Sequence, residues 1–402
     1  METNLRAVNR VETLAKLQLL GEGAKYDVCA STASRGSKIK QSALGNTRPA
    51  GVCHSFTPDG RCISLFKVLL SNYCERDCVY CPNRAGRDIP RTRFDAEELA
   101  KLFIEFYRRN YVEGLFLSSG IFHSPGRTMA DMLKVAELLR KNYKFGGYIH
   151  LKILPGAPEA EIRAAIELAN RVSLNMESPS AGHLAKLSQT KGFASELLTG
   201  MSQLSRLLHG RQDVSHSTQY IVGAAGESDQ EILRSVTNLY NGYSLRRAYF
   251  SAFQPVEATP LGTAAPTPLR RENRLYQSDF LMRLYGFQFQ DLVFSPTGNL
   301  YEDLDPKMAF ALHNTALFPL EVNRAAYADL LKVPGIGPKS AARIVAIRRR
   351  HRLTSSEELK NTGVVIKRAL SFLTINGRFL GSRPLLDKPQ HHQYEQLALW
   401  EG

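Results

Sequence analysis

From residue 62 onward the chain alternates between two hydrophobic rhythms. Short runs of apolar and β-branched residues, beginning with "CISLFKVLLS" (62–71), read as buried strands. Longer segments with apolar residues three and four apart, such as "DAEELAKLFIEFYRR" (95–109), read as amphipathic helices. Further strand-like runs occupy 113–119, 147–154, 171–177, 216–223 and 248–256, and helical segments follow at 128–142, 157–170, 194–208, 228–242 and 270–286. Asp95 is the expected N-cap of the first helix, with acids in the following turn. Strands that alternate with helices imply a parallel sheet, because parallel neighbours need a crossover. Six β-then-α units are too few for a closed eight-unit barrel. Both a doubly wound open sheet and a partial barrel fit, and in either one ligands gather at the C-terminal ends of the strands.

The flanks differ. The first twenty residues alternate charged and apolar positions at helical spacing, and residues 31–50 are small, polar and basic with no apolar period, as in a linker. From about 320 the pattern is of helices joined by tight turns, with no clear strand. The expected organisation is a helix and linker over 1–59, an α/β unit over 60–295, a connector over 296–320, a small all-α domain over 321–380 and a tail over 381–402. No stretch approaches eighteen consecutive apolar residues, so no transmembrane helix is expected. The N-terminus lacks the apolar core and cleavage site of a secretory signal, which makes the cytoplasm the expected location.

Charge sharpens this division. The 402 residues carry a net charge of +14, a balance that suits a polyanionic partner. Residues 321–380 hold 12 Lys+Arg against 4 Asp+Glu. More than half the excess therefore lies in about a seventh of the chain, as a local footprint.

All six cysteines lie in the first quarter of the chain: Cys29, Cys53, Cys62, Cys74, Cys78 and Cys81. In a cytosolic chain this points to metal or redox chemistry rather than a disulfide framework. "NYCERDCVYCPNR" follows the first predicted parallel strand and spaces three cysteines as C-x3-C-x2-C. Thiolates suit iron–sulfur clusters and zinc. Three thiolates on a four-iron cluster leave one iron open to a small molecule. A zinc site would instead need Cys53, Cys62 or His54 as a fourth ligand.

Here the sequence resembles the radical S-adenosylmethionine superfamily, whose hallmark is C-x3-C-x-Φ-C with Φ aromatic. This chain reads Cys74-Glu-Arg-Asp-Cys78-Val-Tyr80-Cys81, and the resemblance covers roughly residues 60–295. It implies a partial (β/α)6 barrel, a [4Fe–4S] cluster on Cys74, Cys78 and Cys81, bound S-adenosyl-L-methionine, an external electron donor and a 5′-deoxyadenosyl radical. It also implies cofactor contacts at several strand ends. Ser118, Ser119 and Gly120 match by position a glycine-rich turn that receives the methionyl amine, although the family's acid is absent. Asn175 and Glu177 alternate to one face and suit two ribose hydroxyls. Gly223 lies in a segment that backs the adenine, and Gly226 permits the same close approach. Glu227 reads as a cap for the following helix. Each of these also has an ordinary reading as a turn or a polar strand end. Cys29, Cys53 and Cys62 form a second set of three, which suits an auxiliary iron–sulfur cluster or simply buried free thiols.

"LLKVPGIGPKSAARIV" (330–345) resembles the helix-hairpin-helix DNA-binding motif. The turn is Pro334-Gly335-Ile336-Gly337. Its backbone N–H groups and the following helix N-terminus would form a phosphate nest, with Ile336 as a plug and Lys339, Ser340 and Arg343 nearby. Such a motif addresses phosphates rather than sequence. The combined architecture resembles a bacterial family described as DNA modification or repair radical S-adenosylmethionine proteins. The resemblance implies an enzyme acting on DNA, with a DNA-processing partner protein as a further expectation. Two other readings stay open. One is an RNA- or protein-modifying enzyme docked on nucleic acid, and the other is a non-enzymatic iron–sulfur DNA-binding redox sensor. Tyr249, Phe250, Phe253 and Tyr301 are candidates for stacking on an unstacked base, or for core packing.

Overall fold

A computed structural model describes residues 2–24, 52–56 and 62–381. Cys29, the 31–50 linker and the tail from 382 lie outside the described residues. The chain forms two compact units, one of residues 1–227 and 235–267, the other of 228–234 and 268–402.

The first unit is built on a seven-stranded sheet. Strands β1 (Val52–Phe56), β2 (Cys62–Leu69), β3 (Gly114–Ser118), β4 (Tyr148–Lys152), β5 (Arg171–Ser173), β6 (Ser215–Val222) and β7 (Arg247–Ala252) lie side by side in chain order. Pairing from β2 to β7 is parallel throughout. A doubly wound sheet reverses its strand order midway. This one never does, so the six parallel strands form the half-barrel. β1 pairs antiparallel with β2 at the outer edge, a strand not anticipated in the 1–59 segment.

The helices follow from simple patterning. In α2 (Ala96–Arg108), Leu99, Leu102 and Phe103 recur at helical spacing and are buried. Phe66 of β2 meets Phe103 and Phe106 at ring-centroid distances of 6.3 and 5.1 Å, which marks the helix-covered side of the sheet. Asp95 does occupy the N-cap position of α2, but its side chain makes no capping bond. Glu98 in the first turn instead accepts bonds from Thr13 and Lys16 of α1 (Glu2–Ala24), whose Leu17 and Leu20 are buried. The remaining helices of this unit include α3 (Pro125–Glu137), α4 (Glu159–Leu168), α5 (Ala181–Leu187) and α6 (Thr199–Leu207).

Helix α7 (Asp229–Gly242) begins within the second unit. That unit continues with α8 (Leu269–Leu284), α9 (Pro306–His313), β8 (Leu320–Glu321), α10 (Tyr327–Leu330), α11 (Pro338–Arg348), α12 (Ser356–Asn361), α13 (Ile366–Ala369), β9 (Leu373–Ile375) and β10 (Arg378–Phe379). Its core gathers Phe287, Phe310, Ile336, Ile344 and Phe372. The region is helical as expected, with one addition. The three short strands form a sheet ordered β10–β9–β8. Asn376 and Gly377 turn β9 into β10 with φ of 52° and 75°, the left-handed pair that a two-residue hairpin demands.

One buried pair fastens the start of α7 within the second unit. Asp229 is fully buried, accepts from Arg271 Nε at 2.7 Å and from the Leu300 N–H at 2.9 Å. Removing one member of a buried, hydrogen-bonded ion pair strands its partner and costs about 3–5 kcal/mol. Asp229→Ala should therefore lower the stability of this unit by that amount in urea unfolding. A loss below about 1 kcal/mol would contradict the role assigned to the pair.

Candidate functional site

The three-cysteine loop leaves β2 at the C-terminal edge of the sheet and is pinned by backbone bonds along the end of β3. Leu70 N–H donates to Ser118 O, Gly120 N–H to Ser71 O, and Glu75 N–H to Ile121 O, each at 2.8 Å. The crossing is close. A Cβ on Gly120 would lie 2.2 Å from the Tyr73 carbonyl oxygen and 3.1 Å from Cys74 Cβ. Glycine is required here because another backbone occupies the side-chain space.

Inside the loop, two charged residues act on the main chain. The Arg91 guanidinium donates to the carbonyls of Asn72, Asn83, Arg84 and Arg87 at 2.5–3.0 Å. Asp77, between the first two cysteines, accepts from Ser188 Oγ, Thr190 Oγ1 and the N–H groups of Gln189 and Thr190. Burial opposes its charge, yet these donors hold its carboxyl well below the usual range. Arg76 pairs with Glu196 and Val79 N–H donates to Leu187 O, so the loop is tied to the 187–196 segment at several points.

Cys74, Cys78 and Cys81 are free thiols, and Cys78 is buried. Burial raises Cys78 and Lys191 opposes that rise; burial and then Cys78 push Cys81 up to about 12. The mutual effects mean that the three sulfurs share one locale. Protein groups alone thus favour the protonated thiols of Cys78 and Cys81, and a metal charge is what would deprotonate them. Among the described residues no three His, Cys, Asp or Glu side chains converge as ligands of one ion would. Three neighbouring thiols in one loop suit a cluster that offers each one its own iron. Cys62 lies at the opposite end of β2, about 23 Å of extended strand from Leu69, so it cannot be a fourth ligand. It is exposed there. Cys53 is placed only by its backbone pairing with Leu65. With Cys29 outside the described residues, the second cysteine set stays an expectation.

The end of β5 arrives beside this loop. Glu177 adopts a left-handed φ of 64°, held by Glu177 N–H to Gln219 O and Ile221 N–H to Glu177 O. Its Oε1 accepts from Lys191 Nζ at 3.3 Å and from Asn175 Nδ2 at 3.5 Å, while Oε2 is buried with no partner among the described residues. Burial opposes the charge of Lys191, but Cys78 and Glu177 hold its ammonium firmly protonated. Burial, followed by the charge of Glu177, keeps the Tyr80 phenol protonated. The structure therefore brings Tyr80, Asn175, Glu177 and Cys78 together. Ser118 and Ser119 are buried at the end of β3, where Ser119 Oγ donates to Gly120 O at 2.7 Å. Gly223 and Gly226 have φ of 88° and 75°. Glu227 is buried in the same turn. Its two carboxylate oxygens accept from the N–H groups of Gly223 and Ala225 and close that turn.

Phe250 and Tyr220 stack at 6.3 Å, with Tyr220 Oη bonded to Ser235 of α7, so Phe250 belongs to the core. Tyr249 and Phe253 are also buried, and Tyr301 is half-buried.

In the second unit, Gly335 has φ of 85°, and a Cβ there would meet Val365 O at 2.6 Å. Ile336 is buried as a plug, as expected. The hairpin carbonyls are taken internally: Gly335 O by Val365 N–H at 2.9 Å, and Ile336 O by the ammonium of Lys307. Lys307 is buried and lies 4.7 Å from the Tyr285 ring centre. Helix α11 then opens at Gly337 and Pro338, and its N-cap makes no side-chain bond to the first-turn N–H groups. Lys339 is exposed beside them. Ser340 is buried, and Arg343 is exposed but donates to Thr362 O at 3.3 Å.

Lys191, Asp77, Arg91 and Lys307 are the residues that sequence reasoning passed over. None sits in a periodic pattern. Only Asp77 had a signal, its place inside the cysteine motif.

Comparison with known proteins places these features. Residues 68–239 match the family model described as Radical SAM superfamily, and residues 319–370 match the Helix-hairpin-helix motif. The chain thus carries a radical SAM domain and a helix-hairpin-helix motif. No curated protein matches the sequence. Among solved structures, methylornithine synthase is 16% identical over 53% of this chain and 60% of that chain, with a TM-score of 0.42. The FeFe-hydrogenase maturase HydG from Carboxydothermus hydrogenoformans is 14% identical over 53% and 50%, at 0.43. A radical SAM methyltransferase from Sphaerobacter thermophilus is 14% identical over 58% and 71%, at 0.42. The chain spans about half the length of the hydrogenase maturase. Among the described residues no helix is long and apolar enough to cross a membrane.

Two predictions follow from this geometry. Gly120→Ala must push the cysteine loop aside, so anaerobic reconstitution should load it with less than about half the iron of the parent while circular dichroism stays native. Equal loading would remove the crossing from the account. For Lys307, burial lowers the ammonium from an ordinary 10.5 to about 7, against an opposing pull from Asp305. Between those values the unfolded chain binds more protons than the folded one, so stability rises with pH across that window. The melting temperature of the parent should climb from pH 7 to 10 relative to that of Lys307→Met. Parallel curves would show that Lys307 is not desolvated as described.

Proposed function

We propose that this chain is a radical S-adenosylmethionine enzyme that acts on DNA, to modify it or to repair a lesion. One observation carries the reading: a three-thiol loop fit for a cluster and a phosphate-ready hairpin stand on the same chain. Cys74, Cys78 and Cys81 would each hold one iron of a [4Fe–4S] cluster. When bound, that cluster supplies the electron that splits the sulfonium C–S bond of S-adenosylmethionine and so generates the 5′-deoxyadenosyl radical.

The chain's own residues would orient the cofactor. Glu177 Oε2, buried and without a partner among the described residues, would accept from a ribose hydroxyl, and Asn175 stands beside it. Lys191 presents a buried positive charge that suits a carboxylate. Ser118, Ser119 and Gly120 offer hydroxyl and carbonyl oxygens to an amine, and Gly223 permits close approach of the adenine. Tyr80, beside Cys78, Cys81 and Glu177, would adjoin the cluster. The burial of these groups excludes water from a reactive radical. The electron comes from an external donor.

In the second unit, the uncapped start of α11 and Lys339 would hold a DNA phosphate, with Arg343, Arg349, Arg350 and Arg352 extending the basic surface. Pro334, Gly335 and Ile336 shape the turn rather than touch the ligand, since Pro334 and Ile336 are buried. Ser340 would contribute its backbone N–H, its side chain being buried.

The decisive assay reconstitutes the cluster anaerobically, adds reductant and S-adenosylmethionine, and follows 5′-deoxyadenosine with and without DNA. Cleavage stimulated by single-stranded or damaged DNA is expected, and no cleavage under any condition would overturn the reading. Lys339→Gln should weaken DNA binding a few-fold at every sequence and reduce the slope of log affinity against log salt by about 1. Its cleavage without DNA should be unchanged.

A further inference from the structure

The hairpin of the second unit is held by a residue outside its own motif. The helix-hairpin-helix match covers residues 319–370. The ammonium that donates to the Ile336 carbonyl belongs to Lys307 of α9, upstream of that range. Lys307 is 8% exposed, and its Nζ stands 4.7 Å from the ring centre of Tyr285, at the end of α8. The Tyr285 hydroxyl lies 3.4 Å from where a Cβ on Gly337 would fall. These two side chains therefore pack against both residues of the Ile336–Gly337 peptide.

The other charges around Lys307 have partners of their own. Asp305 caps α9 by accepting from Met308 N–H at 3.2 Å, and it pairs with Arg368 of α13. Arg274 of α8 acts on Asp305 from the other side. Lys332, just before the hairpin, lies over the Phe310 ring of α9. Among the described residues no carboxylate bonds to Lys307, whose acceptor is the neutral carbonyl of Ile336.

This bond has a geometric consequence. The Ile336–Gly337 peptide is trans, and in a trans peptide the C=O and the N–H point opposite ways. With its carbonyl turned inward onto Lys307, the peptide directs the Gly337 N–H away from the core. That N–H has no hydrogen-bond partner among the described residues. Its neighbours cannot replace it, because Ile336 N–H already donates to Val333 O at 3.2 Å and Pro338 has no N–H.

We propose that Lys307 is a positioning residue for phosphate binding by the hairpin: its ammonium fixes the Ile336–Gly337 peptide so that the Gly337 N–H meets a DNA phosphate, and its charge adds to the attraction from behind the turn. The proposal rests on the DNA reading above and names what sets the hairpin's grip. It also makes that grip respond to protons. A charged donor holds a carbonyl more firmly than a neutral amine does. Burial lowers Lys307 to about 7, with Asp305 opposing the fall and Arg368 adding to it. A phosphate bound nearby favours the charged form, so the value is higher in the complex. The affinity that the ammonium contributes is thus complete below about pH 7 and is lost as pH rises through the higher value of the complex.

The test follows a fluorescent DNA duplex binding to the full chain from pH 6 to 9 at constant salt. Affinity of the parent should fall about fivefold across this range. Calorimetry at pH 7.5, in buffers of different ionisation heat, should show proton uptake on binding. Lys307→Met should bind about tenfold more weakly at pH 6, lose most of the fall with pH and take up fewer protons, while circular dichroism stays native. His351 is common to both proteins and cancels in the comparison. Equal affinity of the two proteins across the range, or no proton uptake by the parent, overturns the role. Should Lys307→Met fail to fold, Lys307→Arg decides, because a guanidinium stays charged at every pH. It should match the parent at pH 6 and keep that affinity at pH 9; a parent-like fall would overturn the proposal. Lys339→Gln separates this role from the reading beneath it. Binding weakened by Lys339→Gln and not by Lys307→Met removes Lys307 alone, whereas binding that neither variant changes, or no binding at all, removes the hairpin reading itself.

Discussion

Everything at the cluster site depends on a loop that must hold three sulfurs in a fixed relation without regular structure of its own. Arg91 does much of this by giving one guanidinium to four carbonyls of residues 72–87, a fork that no ammonium could reproduce. Asp77 supplies the converse, a carboxylate that gathers donors from residues 188–190. Gly120 gives the loop room to cross the end of β3. These contacts fix the loop from three directions, so the thiols are already neighbours through protein contacts alone. Such support belongs to a cofactor site whose geometry must be set before the cofactor arrives.

Beside the loop the buried charges are paired. Lys191 and Glu177 neutralise one another beside the thiols, and only one carboxylate oxygen is left over.

Much of this was legible in the chain. The alternation of strand and helix, the three cysteines after the first parallel strand, and "VPGIGPKS" each carry a local physical reason, and each lies where the pattern put it. The choice between a doubly wound sheet and a half-barrel was not legible, because strand order is decided by tertiary pairing. β1 escaped notice because its five residues sit in a segment read as a linker. The β9–β10 hairpin was missed although Asn376-Gly377 announces it. Lys191 and Lys307 act at long range, one on Glu177 and the other on Ile336, and no spacing rule could connect them. The expected contact of the Ser340 side chain with a phosphate is closed off because that side chain is buried.

The most direct test of the central claim is metal analysis of the anaerobically purified chain, combined with electron paramagnetic resonance of the reduced protein. The account predicts about four irons and four sulfides per chain on Cys74, Cys78 and Cys81, with a signal that changes when S-adenosylmethionine is added. A single zinc per chain, or an iron–sulfur signal indifferent to S-adenosylmethionine, would contradict it.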